Sequence, residues 1–430
     1  MKTPTFFTYA FGCRVNEAEK EQIDRKMVDE GMLYDPDKPD VYIINTCSVT
    51  HKAEREARQL IYSVKKSHPD TKIVVTGCAT TYWLKNNLHS ELPIDLAVDN
   101  LNKEFLVEII KKRFLKSVKT VKRGHLNLTN KFIGSGRVMV KIQDGCQRFC
   151  TFCIVPYLRG MPKSNLIKTI VKGINNLAEE VKIKETILTA INTQAYGYDT
   201  GEKFIDLVGQ VIDNTKIPRI SFGSIHPWSV DEGFLSFYKN ILASERLVNF
   251  FHIPLQSGSN KMLALMKRGY KKEEFVEKLD KIYQINPNAF IATDVITGFL
   301  EETDSDFEDT YEFLKKSPIS KFHVFRYSRR TKTAADYMGK RLKEPSSSKK
   351  ALRSKALIKL GKEKYNSFLK RQVGRLSTAL FLEKKFEGFA EALLDNQLPI
   401  YIKTEKKLAS EIKTVKIIEF KKGRLFGRIG

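Results

Sequence analysis

The stretch that decides the fold of this chain is Val138-Met-Val-Lys-Ile-Gln143, followed by Asp-Gly and then Cys146-Gln-Arg-Phe-Cys150-Thr-Phe-Cys153. Its first part is a hydrophobic run that predicts a β-strand, and its second part is a loop with C-x3-C-x2-C spacing. Three thiolates in one loop can bind three irons of a [4Fe–4S] cluster and leave the fourth iron open to a small-molecule ligand. A structural zinc ion would need a fourth protein ligand, and the neighbouring sequence offers no further Cys or His. The spacing therefore favours an iron–sulfur centre directly after a strand.

Working outward from this stretch, segments that predict strands alternate with segments that predict helices. The six predicted strands are Val138–Gln143, Thr186–Ala190, Arg219–Gly223, Phe250–Leu255, Phe290–Thr297 and Lys321–Tyr327. Such alternation is typical of parallel βαβ units, and six units fit an open barrel related to the (β/α)₈ design. In that design the chemistry lies at the carboxyl ends of the strands, and the cysteine loop follows the first of them.

A second alternation of strands and helices precedes this region. Its predicted strands are Thr5–Tyr9, Val41–Asn45 and Lys72–Thr76, and the cysteines that follow them are Cys13, Cys47 and Cys78. Carboxyl ends of parallel strands share one edge of a sheet, where ligands bind, so three cysteines that are distant in sequence can converge there. Position alone leaves another interpretation open, because buried cysteines without a metal role are common.

The sequence divides into three predicted domains. A parallel α/β domain covers residues 1–120, an open-barrel domain covers 132–365, and short alternating runs over 371–430 predict a small β-barrel. A polar segment, residues 124–136, separates the first two domains. Residues 321–370 hold sixteen Lys and Arg against three acidic residues.

Composition narrows the class of protein. A hydrophobic content of 42% excludes a wholly disordered chain, and 74 Lys and Arg against 50 Asp and Glu give a net charge of +24. This excess favours a polyanionic partner, nucleic acid ahead of membrane, although a generally lysine-rich proteome would also explain it. No apolar run approaches the roughly 18 residues of a membrane span, and the first residues lack the features of a signal peptide. We expect a cytoplasmic protein that does not enter the membrane.

The cysteine loop, with Phe152 before its last cysteine, resembles the motif of the radical S-adenosylmethionine enzymes. The stretches that resemble one subgroup of these, the methylthiotransferases, are Lys141–Cys146, Ile154–Gly160, Asn45–Cys47, Thr76–Cys78, His252–Ser259 and Thr293–Ile296. The resemblance spans nearly the whole chain. It implies that the three predicted domains are an N-terminal methylthiotransferase domain, a radical S-adenosylmethionine domain and, more weakly, a TRAM-like domain that binds RNA.

The resemblance also implies the cofactors, namely two [4Fe–4S] clusters and S-adenosylmethionine. Cys146, Cys150 and Cys153 would bind the cluster whose open iron chelates S-adenosylmethionine. A second cluster, bound by Cys13, Cys47 and Cys78, would present or donate the sulfur. The residues that the resemblance places around S-adenosylmethionine are Phe152, which would pack on the adenine, and Thr189, Asn192, Ser224, His226 and Gln256. Loop packing for Phe152 and helix capping or a structural role for the others remain alternatives, and no catalytic side chain is identified.

Two positions depart from the pattern of the family. Ala190 stands where the family usually has Gly, after the strand that ends at Thr189. Leu300-Glu-Glu-Thr303 stands where the family usually has Pro-Gly-Glu-Thr, although Thr303 and Asp306 still suit the start of a helix.

The stretches Gly12–Asn16, Cys47–Thr50 and His323–Arg329 resemble the group that acts on threonylcarbamoyladenosine. We therefore expect methylthio transfer to carbon 2 of N6-threonylcarbamoyladenosine at tRNA position 37. The expected partners are a tRNA anticodon stem-loop, a reducing electron donor and a sulfur source. The alternatives are isopentenyladenosine in tRNA, an aspartate of a ribosomal protein, or a non-catalytic, metal-containing RNA-binding protein. Arg14, Arg326, Arg329 and Arg330 are candidates to bind the substrate carboxylate, or equally to contact phosphate.

Overall fold

The computed structural model of the protein describes residues 3–115, 136–180 and 183–430, which fall into two units. The first unit consists of residues 3–115 with Asp144–Arg148 and Cys153–Pro162, and the second holds the remaining described residues. The predicted boundaries at residues 120 and 132, and the polar segment 124–136 except Gly136, lie outside the described residues.

The first unit is built on a parallel sheet. Its strands are β1 (Thr5–Ala10), β2 (Leu33–Tyr34), β3 (Val41–Thr46), β4 (Lys72–Gly77) and β5 (Leu96–Ala97), in the order β2-β1-β3-β4-β5. The helices of residues 3–115 are α1 (Arg14–Asp29), α2 (His51–Ser67), α3 (Cys78–Lys85) and α4 (Leu106–Phe114). All six residues of β3 are buried, as expected of a central strand covered on both faces. The three predicted strands are β1, β3 and β4.

The second unit contains the six predicted parallel strands and one short additional strand, except that Asp144, the last residue of the first of these strands, belongs to the first unit. Four strands, β6 (Arg137–Asp144), β7 (Lys163–Ser164), β8 (Glu185–Ala190) and β9 (Arg219–Phe222), form one sheet in the order β7-β6-β8-β9. Three more, β10 (Phe250–His252), β11 (Phe290–Thr297) and β12 (Lys321–Arg326), form the sheet β10-β11-β12. A single parallel bridge, Ile220–Leu247, continues β9 toward β10. The predicted α/β class with an open barrel is confirmed. β10 ends three residues before the predicted Leu255, because Pro254 has no N–H and Gln256 adopts a left-handed φ of 80°. β9 and β12 each end one residue before their predicted ends.

Helices connect these strands. They are α5 (Val155–Arg159, which belongs to the first unit), α6 (Ile167–Glu180), α7 (Phe204–Asn214), α8 (Glu232–Ile241), α9 (Asn260–Leu265), α10 (Lys272–Ile285), α11 (Asp304–Lys316), α12 (Ala334–Met338) and α13 (Ser347–Arg371). The predicted start of α11 is present as a capping box. Thr303 Oγ1 accepts from Asp306 N at 3.1 Å, and Asp306 Oδ2 accepts from Thr303 N at 2.9 Å. Among the described helices we find no apolar segment of the length that spans a lipid bilayer.

The chain ends in a closed β-barrel. Its strands are β13 (Leu376–Phe386), β14 (Phe389–Leu394), β15 (Pro399–Lys403), β16 (Ile412–Lys421) and β17 (Arg424–Ile429), in the order β13-β14-β15-β17-β16. This barrel shares a hydrophobic core with the first residues of β10 and β11, Phe250 and Phe290, and with Phe368 of α13. Arg219, at the start of β9, donates to the carbonyl oxygens of Leu393 and Leu394 at 2.8 and 2.7 Å. The barrel therefore packs on the amino ends of the central strands and leaves their carboxyl ends uncovered by it.

Candidate functional site

Three cysteines lie at one edge of the N-terminal sheet. Cys13, Cys47 and Cys78 directly follow or nearly follow β1, β3 and β4, which are neighbours in the sheet. Cys13 is exposed, whereas Cys47 and Cys78 are buried. Gly12 has a φ of 90°, and a Cβ at this position would lie 2.5 Å from Cys47 Sγ. The loop that carries Cys13 therefore approaches Cys47 so closely that only glycine fits beside it.

The surroundings of these cysteines suit a metal centre. Burial, together with the neighbouring Cys78, raises the pKa of Cys47 to about 12. A thiol of this kind stays protonated at neutral pH unless a metal binds it and displaces the proton. Two side chains point N–H donors at Cys78 Sγ, Arg159 Nε at 3.3 Å and Asn100 Nδ2 at 3.6 Å. Such donors stabilise a sulfur that carries negative charge. Three thiols at one sheet edge, one of which receives two such donors, are a fitting ligand set for an iron–sulfur cluster.

The cysteine loop after β6 is fixed by tight turns. Gly145 has a φ of 72°, and a Cβ there would lie 2.2 Å from the carbonyl oxygen of Met161. Cys146 N donates to the carbonyl oxygen of Gly160 at 3.1 Å. Phe149, directly before Cys150, has a φ of 46°, which is uncommon for a bulky residue and typical of strained functional loops.

Cys150 is buried beside a cation. Arg268 Nη1 donates to Cys150 Sγ at 3.4 Å, and Arg268 Nη2 donates to the carbonyl oxygen of Pro254 at 2.9 Å. The guanidinium lies over the ring of Trp228, 4.8 Å from its centroid, and Trp228 in turn stacks on His226 with an interplanar angle of 8°. A packed row of side chains thus links His226, a predicted cofactor contact, to a predicted cluster ligand.

Phe152 packs against hydrophobic neighbours in the second unit. Its ring makes an edge-on contact with Phe299, with centroids 6.4 Å apart, and it borders the cluster of Met262, Met266 and Leu300. Phe152 therefore packs within the protein, as the alternative interpretation expects. Its contact with the adenine stays a prediction.

Thr189 and Asn192 lie at the carboxyl end of β8. Thr189 is buried, and a Cβ on Gly223 would lie 2.5 Å from Thr189 Oγ1, so these two strand ends touch. Asn192 Oδ1 accepts from Gln194 N at 3.1 Å and caps a short 3₁₀ helix, Thr193–Ala195. Asn192 therefore caps a helix, which was the alternative to cofactor contact. Contact of Thr189 and Asn192 with a cofactor stays a prediction.

Ser224, His226 and Gln256 follow the next two strands. His226 N donates to Thr193 Oγ1 at 2.9 Å, which ties the loop after β9 to that after β8. Gln256 N donates to the carbonyl oxygen of Asp294 at 2.9 Å and so continues the pairing of β10 with β11. Ser224 Oγ lies 2.6 Å from His252 Nδ1.

His252 belongs to a polar chain that the sequence analysis did not identify. His252 Nε2 and His323 Nδ1 lie 2.9 and 3.3 Å from the same oxygen of Asp294. Burial alone would raise the pKa of Asp294, but hydrogen bonds from the two imidazoles hold this pKa well below its usual range. An ionised carboxylate only accepts hydrogen bonds, so both imidazoles donate to it. In the neutral form of the His252 ring, Nδ1 then accepts from Ser224.

Part of this polar chain of side chains was recognisable in the sequence. His252 and Asp294 lie in stretches that carried the family resemblance, and His323 begins another. Their contact depends on the register, which pairs His252 with Ala292 and His323 with Asp294. Pattern alone does not fix the register between strands separated by long helices.

The arginines proposed to bind a carboxylate have different surroundings. Arg329 Nε pairs with Asp336 Oδ1 at 2.7 Å, and Arg330 is buried. Arg326 is exposed at the end of β12. Arg14 begins α1 in the first unit. Of the three arginines in the second unit, Arg326 is the one whose surroundings best suit a charged ligand.

The loop that departs from the family pattern is stabilised in another way. Glu301, at the position of the usual glycine, has a φ of 57°, and its N–H donates to the carbonyl oxygen of Lys343 at 2.8 Å. Glu302 accepts from Gly298 N at 2.7 Å and from Arg353 Nη1 at 2.6 Å. These contacts hold a left-handed conformation that glycine would adopt without strain.

Two family models match the chain. The model of the Radical SAM superfamily matches residues 140–314, and that of the uncharacterized protein family UPF0004 matches residues 5–99. The first range includes the cysteine loop, and the second includes Cys13, Cys47 and Cys78.

Curated relatives match most of the chain. Threonylcarbamoyladenosine tRNA methylthiotransferase MtaB of Aquifex aeolicus (strain VF5) is 36% identical over 87% of this chain and 92% of its own length. The MtaB of Bacillus subtilis (strain 168) is 31% identical over 97% of this chain and 94% of its own length. The tRNA-2-methylthio-N(6)-dimethylallyladenosine synthase of Thermodesulfovibrio yellowstonii (strain ATCC 51303 / DSM 11347 / YP87) is 31% identical over 100% of this chain and 99% of its own length.

Among solved structures, the chain resembles the radical S-adenosylmethionine methyltransferase TsrM from Kitasatospora setae with cobalamin and a [4Fe–4S] cluster bound. The TM-score is 0.52 at 11% identity, covering 76% of this chain and 72% of that one. At this identity the likeness shows the fold alone.

Proposed function

This chain belongs to the family of radical S-adenosylmethionine methylthiotransferases, and we propose that it methylthiolates carbon 2 of N6-threonylcarbamoyladenosine at tRNA position 37. Its family works with S-adenosylmethionine and [4Fe–4S] clusters, which confirms the predicted cofactors. The observation that supports the substrate is the relative named for threonylcarbamoyladenosine, 36% identical over nearly its whole length. Relatives named for dimethylallyladenosine at about 30% identity make that base the second candidate.

The chemistry explains why such cofactors are needed. Carbon 2 of adenine bears an aromatic C–H bond with no proton acidic enough for a side-chain base. When bound, the clusters and S-adenosylmethionine supply an electron and radical chemistry that can act on such a bond.

Contacts of one cysteine in each set support the assignment of cluster ligands. We assign Cys146, Cys150 and Cys153 to the cluster that binds S-adenosylmethionine, and Cys13, Cys47 and Cys78 to the second cluster. A buried guanidinium donates to one sulfur of each set, Arg268 to Cys150 and Arg159 to Cys78. These donors orient the sulfurs and offset the negative charge of bound thiolates.

The remaining side chains bind and orient. We assign cofactor contacts to Phe152, Thr189, Asn192, Ser224, His226 and Gln256. Support for His226 comes from its stacking on Trp228, which in turn packs against Arg268 beside Cys150. Support for Ser224 comes from its hydrogen bond to His252, whose other nitrogen is fixed by Asp294.

We propose that the protein acts in the cytoplasm. We propose further that its basic region, residues 321–430, contacts the phosphate backbone of the tRNA. The unstacked bases of an anticodon loop can be splayed into a protein site. The carboxylate of the threonylcarbamoyl group would pair with a basic side chain, and exposed Arg326 at the end of β12 is the leading candidate.

The deciding experiment is reaction of the reconstituted enzyme with tRNA that carries each precursor, followed by mass spectrometry of the nucleosides. We expect 2-methylthio product from threonylcarbamoyladenosine and little from isopentenyladenosine. Preference for the isopentenyl form would overturn the substrate and leave the family intact. If the methylthiolated product forms on a ribosomal-protein aspartate instead, tRNA is excluded as the substrate.

A non-catalytic RNA-binding protein is the remaining alternative, and metal analysis of anaerobically purified protein distinguishes it. Two [4Fe–4S] clusters require eight irons and eight sulfides per chain, whereas zinc without sulfide would exclude the proposed chemistry.

A further inference from the structure

Arg159, the last residue of α5, is completely engaged in a buried network of the first unit. Its side chain is 1% exposed. Nη1 donates to Glu19 Oε1 at 2.9 Å and to Asp144 Oδ1 at 2.8 Å, and Nη2 donates to Asn16 Oδ1 at 2.6 Å and to Glu19 Oε2 at 3.3 Å. The fifth donor, Nε–H, is directed at Cys78 Sγ at 3.3 Å. Every N–H of the guanidinium is thus used, and its orientation is fixed.

The charge of this group is permanent. A guanidinium stays protonated in proteins, and Arg159 pairs with the carboxylates of Glu19 and Asp144. Lys103 Nζ pairs with Glu19 Oε2 at 2.6 Å, so one carboxylate is shared by two buried cations. The carboxylates balance the charges of the two cations and fix the guanidinium, so that its Nε–H is a charged donor held at the sulfur.

The sequence position of Arg159 links it to the other set of cysteines. Helix α5 begins two residues after Cys153, and Ile154 and Leu158 pack with Cys78 in a small buried cluster. Asn100 Nδ2 donates both to Cys78 Sγ at 3.6 Å and to the carbonyl oxygen of Leu158 at 3.1 Å. One short segment thus carries a ligand of the first predicted cluster and a donor to a ligand of the second.

We propose that Arg159 is a positioning residue that raises the reduction potential of the cluster bound by Cys13, Cys47 and Cys78. The inference rests on the cluster ligands assigned under the proposed function. Reduction adds one negative charge to a cluster. Hydrogen bonds to the ligand sulfurs and nearby positive charge stabilise that charge, so they favour the reduced state. The donor at Cys78 acts on this cluster whatever the RNA substrate is.

The test measures this cluster alone. In the full-length chain with Cys146, Cys150 and Cys153 all replaced by Ala, only the N-terminal cluster can assemble. Its potential is read by redox titration followed by electron paramagnetic resonance, together with iron and sulfide content. Arg159→Met removes both charge and donor, and we expect the equilibrium constant for reduction to fall at least tenfold, about 59 mV for one electron.

Two further variants keep the proposal falsifiable if Arg159→Met does not assemble its cluster. Arg159→Lys keeps the charge and loses the planar fork, and we expect a smaller fall. Asn100→Ala removes the weaker donor to the same sulfur and should shift the potential in the same direction. Lys72→Gln is the matched control, because it removes one exposed positive charge at the opposite end of β4 and should leave the potential unchanged.

Unchanged potentials in Arg159→Lys and Asn100→Ala would overturn the proposal, as would a rise in Arg159→Met. An equal fall in Lys72→Gln would also overturn it, because the effect would then be general electrostatics. Absence of any cluster in the parent triple variant would reject the ligand assignment itself, a failure distinct from an unchanged potential.

Discussion

The two sets of cysteines reach a similar chemical environment by opposite routes. Cys146, Cys150 and Cys153 share one loop, and tight turns at Gly145 and Phe149 shape its backbone. Cys13, Cys47 and Cys78 come from three loops, and only the parallel order of β1, β3 and β4 brings those loops to one edge. The first set is therefore encoded by local spacing and the second by the fold. We expect the first to tolerate damage to the sheet and the second to depend on it.

The largest expected effect follows from changing the loop set. Replacement of Cys146, Cys150 or Cys153 by Ala should abolish both the reductive cleavage of S-adenosylmethionine and the methylthiolated product, because three thiolates are the minimum that holds the cluster with one open iron. Cleavage is measured by chromatography of 5′-deoxyadenosine under anaerobic conditions. Cleavage at the wild-type rate in any of the three variants would show that the loop is not the site of this reaction.

A more selective effect is expected from the sheet set. Replacement of Cys13, Cys47 or Cys78 by Ala should spare part of the cleavage and end sulfur insertion, since these cysteines are assigned to the cluster that supplies sulfur. The measurement is the ratio of methylthiolated tRNA to 5′-deoxyadenosine, with the loop variants as reference. Wild-type product in the sheet variants would contradict a sulfur-supplying role.

The dependence on the sheet is tested by Gly12→Ala. An added Cβ would lie 2.5 Å from Cys47 Sγ at a φ of 90°, so both sterics and backbone strain oppose it. We expect about half of the iron to be lost and destabilisation of about 1–3 kcal/mol. Gly388→Ala is the control, because Gly388 has a φ of 83° and no atom within 4 Å of the added Cβ. Equal iron loss in both variants would show that strain alone, rather than the contact with Cys47, decides the result.

Features encoded locally were predictable from the sequence, whereas contacts that depend on the fold were not. The strands of both α/β regions were predictable, because hydrophobic runs recur between helical segments and parallel order follows from that alternation. The donors to the sulfurs were not predictable. Arg159 and Cys78 are 81 residues apart, and Arg268 and Cys150 are 118 apart. Only the packed structure brings such pairs together. The chain Ser224–His252–Asp294–His323 was missed for a related reason, since it depends on strand register.

That polar chain provides a smaller, pH-dependent effect. Asp294→Asn removes the charge that accepts from His252 and His323, and we expect destabilisation of about 1.5–3 kcal/mol at pH 7. The folded pKa of Asp294 is depressed, so its contribution is present above the unfolded value of about 3.9 and is lost as the pH falls below it. Urea unfolding of both proteins at pH 7 and at pH 3 measures the difference. If the difference in free energy of unfolding between the wild type and Asp294→Asn stays constant from pH 7 to pH 3, the ionised carboxylate is not its source.

The C-terminal barrel gives the smallest expected effect, and its packing decides how it must be tested. Deleting residues 371–430 would expose Phe250, Phe290 and Phe368, whose hydrophobic core the barrel completes. Loss of tRNA binding in that truncation would therefore not separate binding from folding. Charge-neutralising substitutions at exposed positions leave the core intact and isolate the electrostatic contribution.

We therefore combine Lys407→Gln, Lys421→Gln and Lys422→Gln, at three exposed positions of the barrel. We expect the tRNA affinity of this triple variant to depend less steeply on salt than that of the wild type. If six phosphates are neutralised in the wild type, log affinity for tRNA falls with log salt at a slope of roughly −4 to −5. Each lost phosphate contact should reduce that slope by about 0.7–0.9, while 5′-deoxyadenosine formation without tRNA stays at the wild-type rate. The controls are Glu383→Gln and Glu405→Gln, which remove exposed negative charge from the same barrel and should not weaken binding. An unchanged slope in the triple lysine variant would place the RNA contact elsewhere, with the basic segment 321–370 as the next region to test.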